Sequence, residues 1–146
     1  MNNQEPFTIL LVEDNMDHAE MVIRNLEDVP LAHTVVHVEN GEAALDYLYA
    51  RGPFSHRDPS LLPHLMLMDL RMPKVSGLEV LAQVKGDDRL RALPVVILTT
   101  SDAEADVAQA YASHANSYLT KPADFAELGQ MLKDLVVYWL NWNRKI

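Results

Sequence analysis

The chain has 146 residues, a formal net charge of −9 and 49% hydrophobic residues. This length and composition suit one domain, residues 1–146, with enough apolar side chains for a core. The charge argues against nucleic-acid binding, which needs a positive surface to displace counterions. Cysteine is absent, which excludes disulfides and thiolate metal sites. Without an apolar run of about 20 residues there is no membrane span, and we expect a cytoplasmic protein.

Short apolar runs alternate with longer amphipathic segments along the chain. The apolar runs predict strands near residues 7–12, 33–38, 65–69, 94–99 and 116–120. The amphipathic segments predict helices near residues 16–28, 41–50, 77–87, 103–114 and 124–142. This alternation is typical of an α/β fold with a parallel sheet and helices on both faces.

Local composition places several boundaries between these elements. The segment 51–64 contains three prolines and predicts a long surface loop before the third strand. Ser101 or Asp102 is expected to cap the fourth helix, and Asp124 the fifth, by accepting backbone N–H bonds.

Charged and hydroxyl side chains follow four of the predicted strands. Glu13 and Asp14 follow the first strand, Asp69 ends the third, Thr99 ends the fourth and Lys121 ends the fifth. Taken singly, each has an ordinary explanation as a cap, a turn residue or a solvated charge. Because ligands of open α/β sheets bind at the carboxyl ends of the strands, we expect all five side chains to converge.

The three carboxylates predict a metal site. Two like charges about 4 Å apart repel by roughly 4 kcal/mol at an effective dielectric constant near 20, and a divalent cation relieves this repulsion. Ligands that are all oxygen favour Mg²⁺. We expect Asp14 to bind the ion directly, Glu13 to bind through water, and Asp69 and the backbone carbonyl of Arg71 to complete the site. A carboxylate beside Mg²⁺ can attack a phosphoryl group, and Asp69 is the best candidate because it ends the most apolar run.

The residues around these positions resemble the receiver domains of two-component response regulators. The resemblance rests on the segments 9–15 (ILLVEDN), 68–77 (MDLRMPKVSG), 96–101 (VILTTS) and 118–122 (YLTKP). It implies a flavodoxin-like, doubly wound, five-stranded parallel sheet in the order 2-1-3-4-5, with five helices.

The resemblance also implies roles for individual residues. Asp69 would accept a phosphoryl group from a phosphohistidine of a sensor histidine kinase, in a Mg²⁺-dependent reaction. Thr99 would be the switch hydroxyl, Tyr118 the switch aromatic residue and Lys121 the cation that contacts the phosphoryl group. The Lys121–Pro122 peptide bond is expected to be cis. Arg71 is a bulky departure two residues after Asp69, and we expect it to obstruct hydrolytic water and help set the phosphoryl lifetime.

Two segments indicate a subfamily. The insertion at 51–64 and the ending at 136–143 (VVYWLNWN) resemble small stand-alone regulators paired with bacterial phytochrome histidine kinases. Because the fifth helix runs nearly to the end of the chain, we expect no output domain, so that signalling must use a protein surface.

The fifth helix has a wide apolar arc. Its spacing assigns six residues to the core: Phe125, Leu128, Leu132, Val136, Trp139 and Leu140. Four more extend the arc sideways: Met131, Leu135, Tyr138 and Trp142. We expect these four, with Tyr111 of the fourth helix, to form a homodimer interface through helix 4, strand 5 and helix 5. Alternatively, Tyr138 and Trp142 pack back on their own domain.

Two enzymatic or binding alternatives remain open. A phosphatase of the haloacid-dehalogenase type also uses a strand-end aspartate and Mg²⁺, but it needs a second Asp two residues later, where Arg71 stands. A nucleotide-binding module requires a glycine-rich phosphate loop, and the first strand is followed by no glycine. The six histidines lack metal-ligand spacing and are expected at the surface or on an edge strand.

Overall fold

The computed structural model describes residues 7–31 and 33–143. Within them, one parallel sheet contains five strands: β1 (Phe7–Val12), β2 (His33–Val38), β3 (Leu65–Met68), β4 (Val95–Thr99) and β5 (Ser117–Thr120). The order is β2-β1-β3-β4-β5. The predicted doubly wound fold and its strand order are confirmed.

The helices lie on both faces of the sheet. They are α1 (Met16–Glu27), α2 (Gly41–Tyr49), α3 (Gly77–Gly86), α4 (Glu104–Ala112) and α5 (Phe125–Val137). The chain continues from α5 into a π-helical turn over Tyr138–Trp142, and a short 3₁₀ turn over Gly52–Phe54 lies in the predicted loop. None of the helices in the described part of the chain is both long and apolar enough to cross a membrane.

Side-chain alternation along the strands divides the core into two layers. Leu10 and Met66 face the layer shared with α2 and α3, whereas Ile9 and Leu67 face the layer shared with α1 and α5. All residues of β3 and β4 are buried. Strands covered on both faces have this continuous apolar composition, which is why their position was visible in the sequence.

Two local predictions about helix starts have different outcomes. Asp124 caps α5 by accepting from the backbone N–H groups of Ala126 and Glu127, at 2.7 and 3.2 Å. The expected cap of α4 is wrong: the helix begins after Ala103 without a side-chain cap. The hydroxyl of Ser101 donates instead to the Asp106 carboxylate at 2.6 Å.

The core face of α5 is mostly as predicted. Leu128, Leu132, Val136 and Leu140 are buried, and Trp139 is partly buried. Phe125 is the exception, with 52% of its surface exposed. It occupies the first position of α5 and lines a surface recess together with Asn25 of α1 and Asp28, the residue after α1. The apolar spacing at this end of the helix therefore does not mark a buried position.

Candidate functional site

The backbone ladder places the acidic residues at the carboxyl edge of the sheet. Val12 pairs with Met68, so β1 and β3 end side by side. The pairing continues one residue further on each strand, because Glu13 N–H donates to Val38 O at 3.1 Å and Asp69 N–H donates to Val12 O at 3.0 Å. The predicted convergence of the carboxylates therefore follows from strand register.

Glu13, Asp14 and Asp69 form a cluster suited to a cation. Each offers a carboxylate oxygen, and these oxygens lie within 4.8 Å of one another. Glu13 is buried, Asp69 is partly buried and Asp14 is exposed. An all-oxygen set of this kind fits a hard divalent cation such as Mg²⁺ or Mn²⁺. No contact of the Arg71 carbonyl bears on its predicted ligand role, which stays a prediction.

Burial raises the pKa of Glu13 from 4.5 to about 7, although a hydrogen bond from Lys121 acts in the opposite direction. The nearby charge of Asp69 adds to the increase. A carboxyl group that holds a proton near neutrality in the metal-free protein can exchange that proton for a cation. The burial of this carboxyl group is consistent with a cation site.

Lys121 supplies the positive charge of the site. Its side chain is 7% exposed, and Nζ donates to Glu13 Oε1 and lies 3.6 Å from Asp69 Oδ2. Its backbone N–H donates to Thr99 O at 2.7 Å, which ties the end of β5 to the end of β4. The expected cis Lys121–Pro122 bond is wrong: the bond is trans, the isomer that X–Pro bonds intrinsically favour.

Thr99 and Tyr118 both contact the segment that follows β4. Thr99 is buried, and its Oγ1 accepts from Ser101 N–H at 3.4 Å. The hydroxyl of Tyr118 donates to Ser101 O at 2.9 Å, while Tyr118 N–H donates to the Tyr111 hydroxyl at 3.1 Å. The switch roles of Thr99 and Tyr118 stay predictions, and the sequence did not predict that Ser101 contacts both residues.

Arg71 points toward α4. Its Nη2 lies 2.5 Å from Asp106 Oδ2, which also accepts from the Ser101 hydroxyl. The hydrogen bonds from Ser101 and Arg71 lower the pKa of Asp106. Arg71 N–H also donates to Asp69 Oδ1 at 3.3 Å. This contact set links the loop after β3 to α4, and the sequence did not predict it.

Two histidines contact the site, which the sequence analysis did not predict. His18 Nδ1 lies 3.2 Å from Lys121 Nζ. His37 Nε2 lies 2.9 Å from the backbone oxygen of Glu13, so this edge-strand residue reaches back to β1. The one available signal for His18 was its place in α1, four residues after Asp14.

The expected interface residues lie on α4, α5 and the turn after α5, near the edge strand β5. Tyr111, Tyr138 and Trp142 are exposed, the last two by 51% and 74%. Met131 and Leu135 are partly buried and line a recess of about 330 Å³ between β5 and α5. Tyr138 packs edge-to-face on Trp139, yet half of it remains accessible.

The sequence matches the model of a known protein family. That family is the response regulator receiver domain, and the match covers residues 9–133. The chain belongs to this family. The matched residues include all four segments on which the resemblance rests and all three residues of the acidic cluster.

Individual relatives match nearly the whole chain. The probable methanogenesis regulatory protein FilR2 of Methanothrix harundinacea is 45% identical over 97% of this chain and 88% of its own length. Response regulator Rcp1 of Synechocystis is 38% identical over 92% of this chain and 90% of its own length. Its Mn²⁺-bound structure superimposes with a TM-score of 0.87 and 35% identity, over 97% of this chain and 99% of that one.

A second solved structure extends this similarity. The phosphorylated cyanobacterial phytochrome response regulator RcpA has a TM-score of 0.89 and 36% identity, over 96% of this chain and 98% of that one. The resemblance of this receiver to phytochrome response regulators is thus confirmed in sequence and in fold.

Proposed function

We propose that this chain is a single receiver domain, residues 1–146, that accepts a phosphoryl group on Asp69 from a sensor histidine kinase. The bond from phosphorus to the kinase histidine nitrogen breaks as a bond to an Asp69 oxygen forms, and the histidine takes up a proton. The convergence of Asp69 with Glu13, Asp14 and Lys121 carries this proposal.

The residues around Asp69 have separate parts in this transfer. Glu13, Asp14 and Asp69 would hold Mg²⁺, which supplies positive charge to the phosphoryl oxygens when it is bound. Lys121 Nζ, 3.6 Å from Asp69 Oδ2, is close enough to contact a phosphoryl group attached there. The Thr99 hydroxyl, at the end of the neighbouring strand, would donate to another phosphoryl oxygen.

The proposed output is a switch in the segment after β4. At present the Thr99 hydroxyl accepts from the Ser101 amide, and the Ser101 carbonyl accepts from the Tyr118 hydroxyl. Movement of Thr99 toward the phosphoryl group would therefore change the position of Ser101. The phosphoryl group stabilises only the state that contacts it, so phosphorylation shifts the populations of the two arrangements. Tyr118 also contacts Tyr111, and through it the switch would reach α4.

We propose that the chain forms a homodimer through α4, β5 and α5, and that this interface responds to the switch. The exposed Tyr138 lines the recess with Met131 and Leu135, and the exposed Trp142 ends the same π-helical turn. Tyr111 of α4 contacts β5, because its hydroxyl accepts from Tyr118 N–H. An exposed apolar cluster of this kind is typical of an interaction site.

A bacterial phytochrome kinase is the proposed phosphoryl donor, with the transfer in the cytoplasm. The similarity to Rcp1 and to the phytochrome response regulator RcpA supports this partner. The higher identity to FilR2, whose name refers to methanogenesis, makes a kinase unrelated to light the alternative donor.

Phosphotransfer tests both levels of the proposal. Purified kinases of the two kinds, charged with ³²P, are mixed with wild type and with Asp69→Asn. We expect label on wild type, none on Asp69→Asn, and faster transfer from the phytochrome kinase. Label on Asp69→Asn at the wild-type rate would contradict the acceptor, whereas equal or slower transfer from the phytochrome kinase would contradict the partner.

A further inference from the structure

The ammonium group of Lys121 has partners on two sides of the pocket. Glu13 and Asp69 approach it from the ends of β1 and β3. His18 Nδ1 approaches it from α1, at 3.2 Å. An ammonium has three N–H donors and no acceptor. Here it hydrogen-bonds to Glu13 and His18, and it forms a longer ion pair with Asp69 at 3.6 Å. In this arrangement the ring nitrogen of His18 must accept, which requires a neutral imidazole with its proton on Nε2.

His18 is itself fixed to the acidic cluster. Its backbone N–H donates to Asn15 Oδ1 at 3.1 Å, and Asn15 N–H donates to Glu13 Oε2 at 3.2 Å. Since Lys121 also bonds to Glu13 and His18, the four residues form a closed ring of hydrogen bonds. The start of α1 and the end of β5 are therefore held in one arrangement around the Glu13 carboxylate.

A recess into which the Lys121 side chain could turn lies beside this ring of hydrogen bonds. The recess has a volume of about 310 Å³, and His18 and Lys121 line it together with apolar residues such as Met21, Val22 and Leu128. A lysine that turned into this space would lose both carboxylate partners and meet mainly apolar surface. The Lys121 ammonium thus lies between the recess and the carboxylates, in contact with the His18 ring.

We propose that His18 is a positioning residue, which holds the Lys121 ammonium where it can meet the phosphoryl group on Asp69. This role rests on the proposed function of Asp69. The contact between Lys121 and Asp69 is the loosest of the three, at 3.6 Å, so it is the one that rearranges when Asp69 gains a phosphoryl group. The His18 contact keeps the ammonium in place during that exchange.

Acetyl phosphate is the suitable phosphoryl donor for the test, because a small-molecule donor does not require a kinase to dock on the protein. Initial rates of Asp69 phosphorylation are measured with Mg²⁺ for wild type, His18→Ala, His18→Asn and Glu20→Ala. Glu20 lies on α1, pairs with Arg24 in solvent and does not contact Lys121, which makes it the matched control.

We expect His18→Ala to lower the rate about tenfold, the size of effect expected when a charged donor loses one partner. His18→Asn should recover most of the rate, because its amide oxygen can accept from Lys121 as Nδ1 does. Glu20→Ala should match wild type. Equal rates for wild type and His18→Ala, or no recovery in His18→Asn, would overturn the positioning role.

A spectroscopic measurement tests the same contact without any phosphorylation. In the ¹⁵N NMR spectrum of the imidazole rings, we expect His18 to carry its proton on Nε2, and we expect its Nδ1 resonance to shift in Lys121→Met. A proton on Nδ1, or an unchanged resonance in the variant, would refute the contact. If wild type instead remained unlabelled by every donor, the function of Asp69 would fail while this measurement still decided the arrangement of His18.

Discussion

Lys121 and Glu13 form an ion pair across 108 positions of the sequence, with side chains 7% and 2% exposed. The pair lies where β1 and β5 end on opposite sides of β3 and β4, so only the folded sheet brings its members together. Even with this partner, the pKa of Glu13 rises to about 7, because burial outweighs the attraction. The acidic site thus stores an electrostatic cost in the absence of metal.

This cost predicts the pH dependence of stability in metal-free protein. The folded-state pKa of Glu13, about 7, exceeds its ordinary value of 4.5, so between these pH values the folded state holds a proton that the unfolded chain has lost. The contribution of Glu13 is fully present below pH 4.5 and is lost as the pH rises through 7. The change is on the order of 3 kcal/mol.

Urea denaturation in EDTA measures this effect. Wild type and Glu13→Gln are compared at several pH values, so that the titration of groups away from the site cancels in the difference. We expect the free energy of unfolding of wild type to fall more steeply between pH 5 and pH 7 than that of Glu13→Gln. Parallel curves for the two proteins would contradict the elevated pKa.

Mg²⁺ should stabilise the protein, because the ion replaces the proton on Glu13 and binds only the folded cluster. Thermal unfolding with millimolar Mg²⁺ should show a higher midpoint, and the increase should be larger at pH 8 than at pH 5.5. Asp14→Asn should reduce the increase, while Asp17→Asn, an exposed acidic residue outside the cluster, should keep it. A midpoint that Mg²⁺ raises equally in Asp14→Asn and wild type would argue against this ligand set.

The Arg71–Asp106 contact leads to a prediction about the lifetime of the phosphoryl group on Asp69. If the guanidinium shields the acyl phosphate from water, Arg71→Ala should dephosphorylate severalfold faster than wild type. Asp106→Ala keeps the guanidinium but removes its anchor, so we expect an intermediate rate. Decay of ³²P label from Asp69 measures each rate, with Arg91→Ala, which alters another exposed pair, as control. Identical decay in wild type and Arg71→Ala would discard the shielding role.

The proposed dimer predicts a dependence on Trp142. Sedimentation with and without a beryllofluoride mimic of the acyl phosphate should show a dimer that the mimic strengthens. Trp142→Ser should weaken the dimer, whereas Leu61→Ser, which removes another exposed apolar side chain from the loop before β3, should not. Wild type that stays monomeric in both conditions at high concentration would remove the interface.

Two glycines of α3 form a matched pair for the packing behind Asp69. A Cβ added at Gly77 would lie 2.5 Å from the backbone oxygen of Asp69 and 2.8 Å from Leu70 Cα. Because backbone must move, Gly77→Ala should destabilise the protein by about 1–3 kcal/mol and slow phosphorylation of Asp69. Gly86→Ala meets nothing within 4 Å and should be neutral or slightly stabilising. Denaturation of both variants checks the difference; equal stability would show that the loop adjusts freely.

The strands and the acidic cluster could be predicted because their signals are local. Unbroken apolar runs mark β3 and β4, which are buried on both faces, and helices between the strands force parallel pairing. In parallel pairing the carboxyl ends of all strands lie at the same edge of the sheet. The sequence alone was therefore enough to assign Glu13, Asp69 and Lys121 to one pocket.

The contacts that refine this pocket were not accessible in the same way. The pairing of His18 with Lys121 and of Arg71 with Asp106 depends on where separate helices and loops pack, and a side chain's partner there lies at no characteristic spacing. Phe125 has the spacing of a core residue, but it is the first residue of α5 and is exposed. Periodicity reports which face of an element is apolar; packing in three dimensions selects which polar groups meet and which apolar residues stay in solvent.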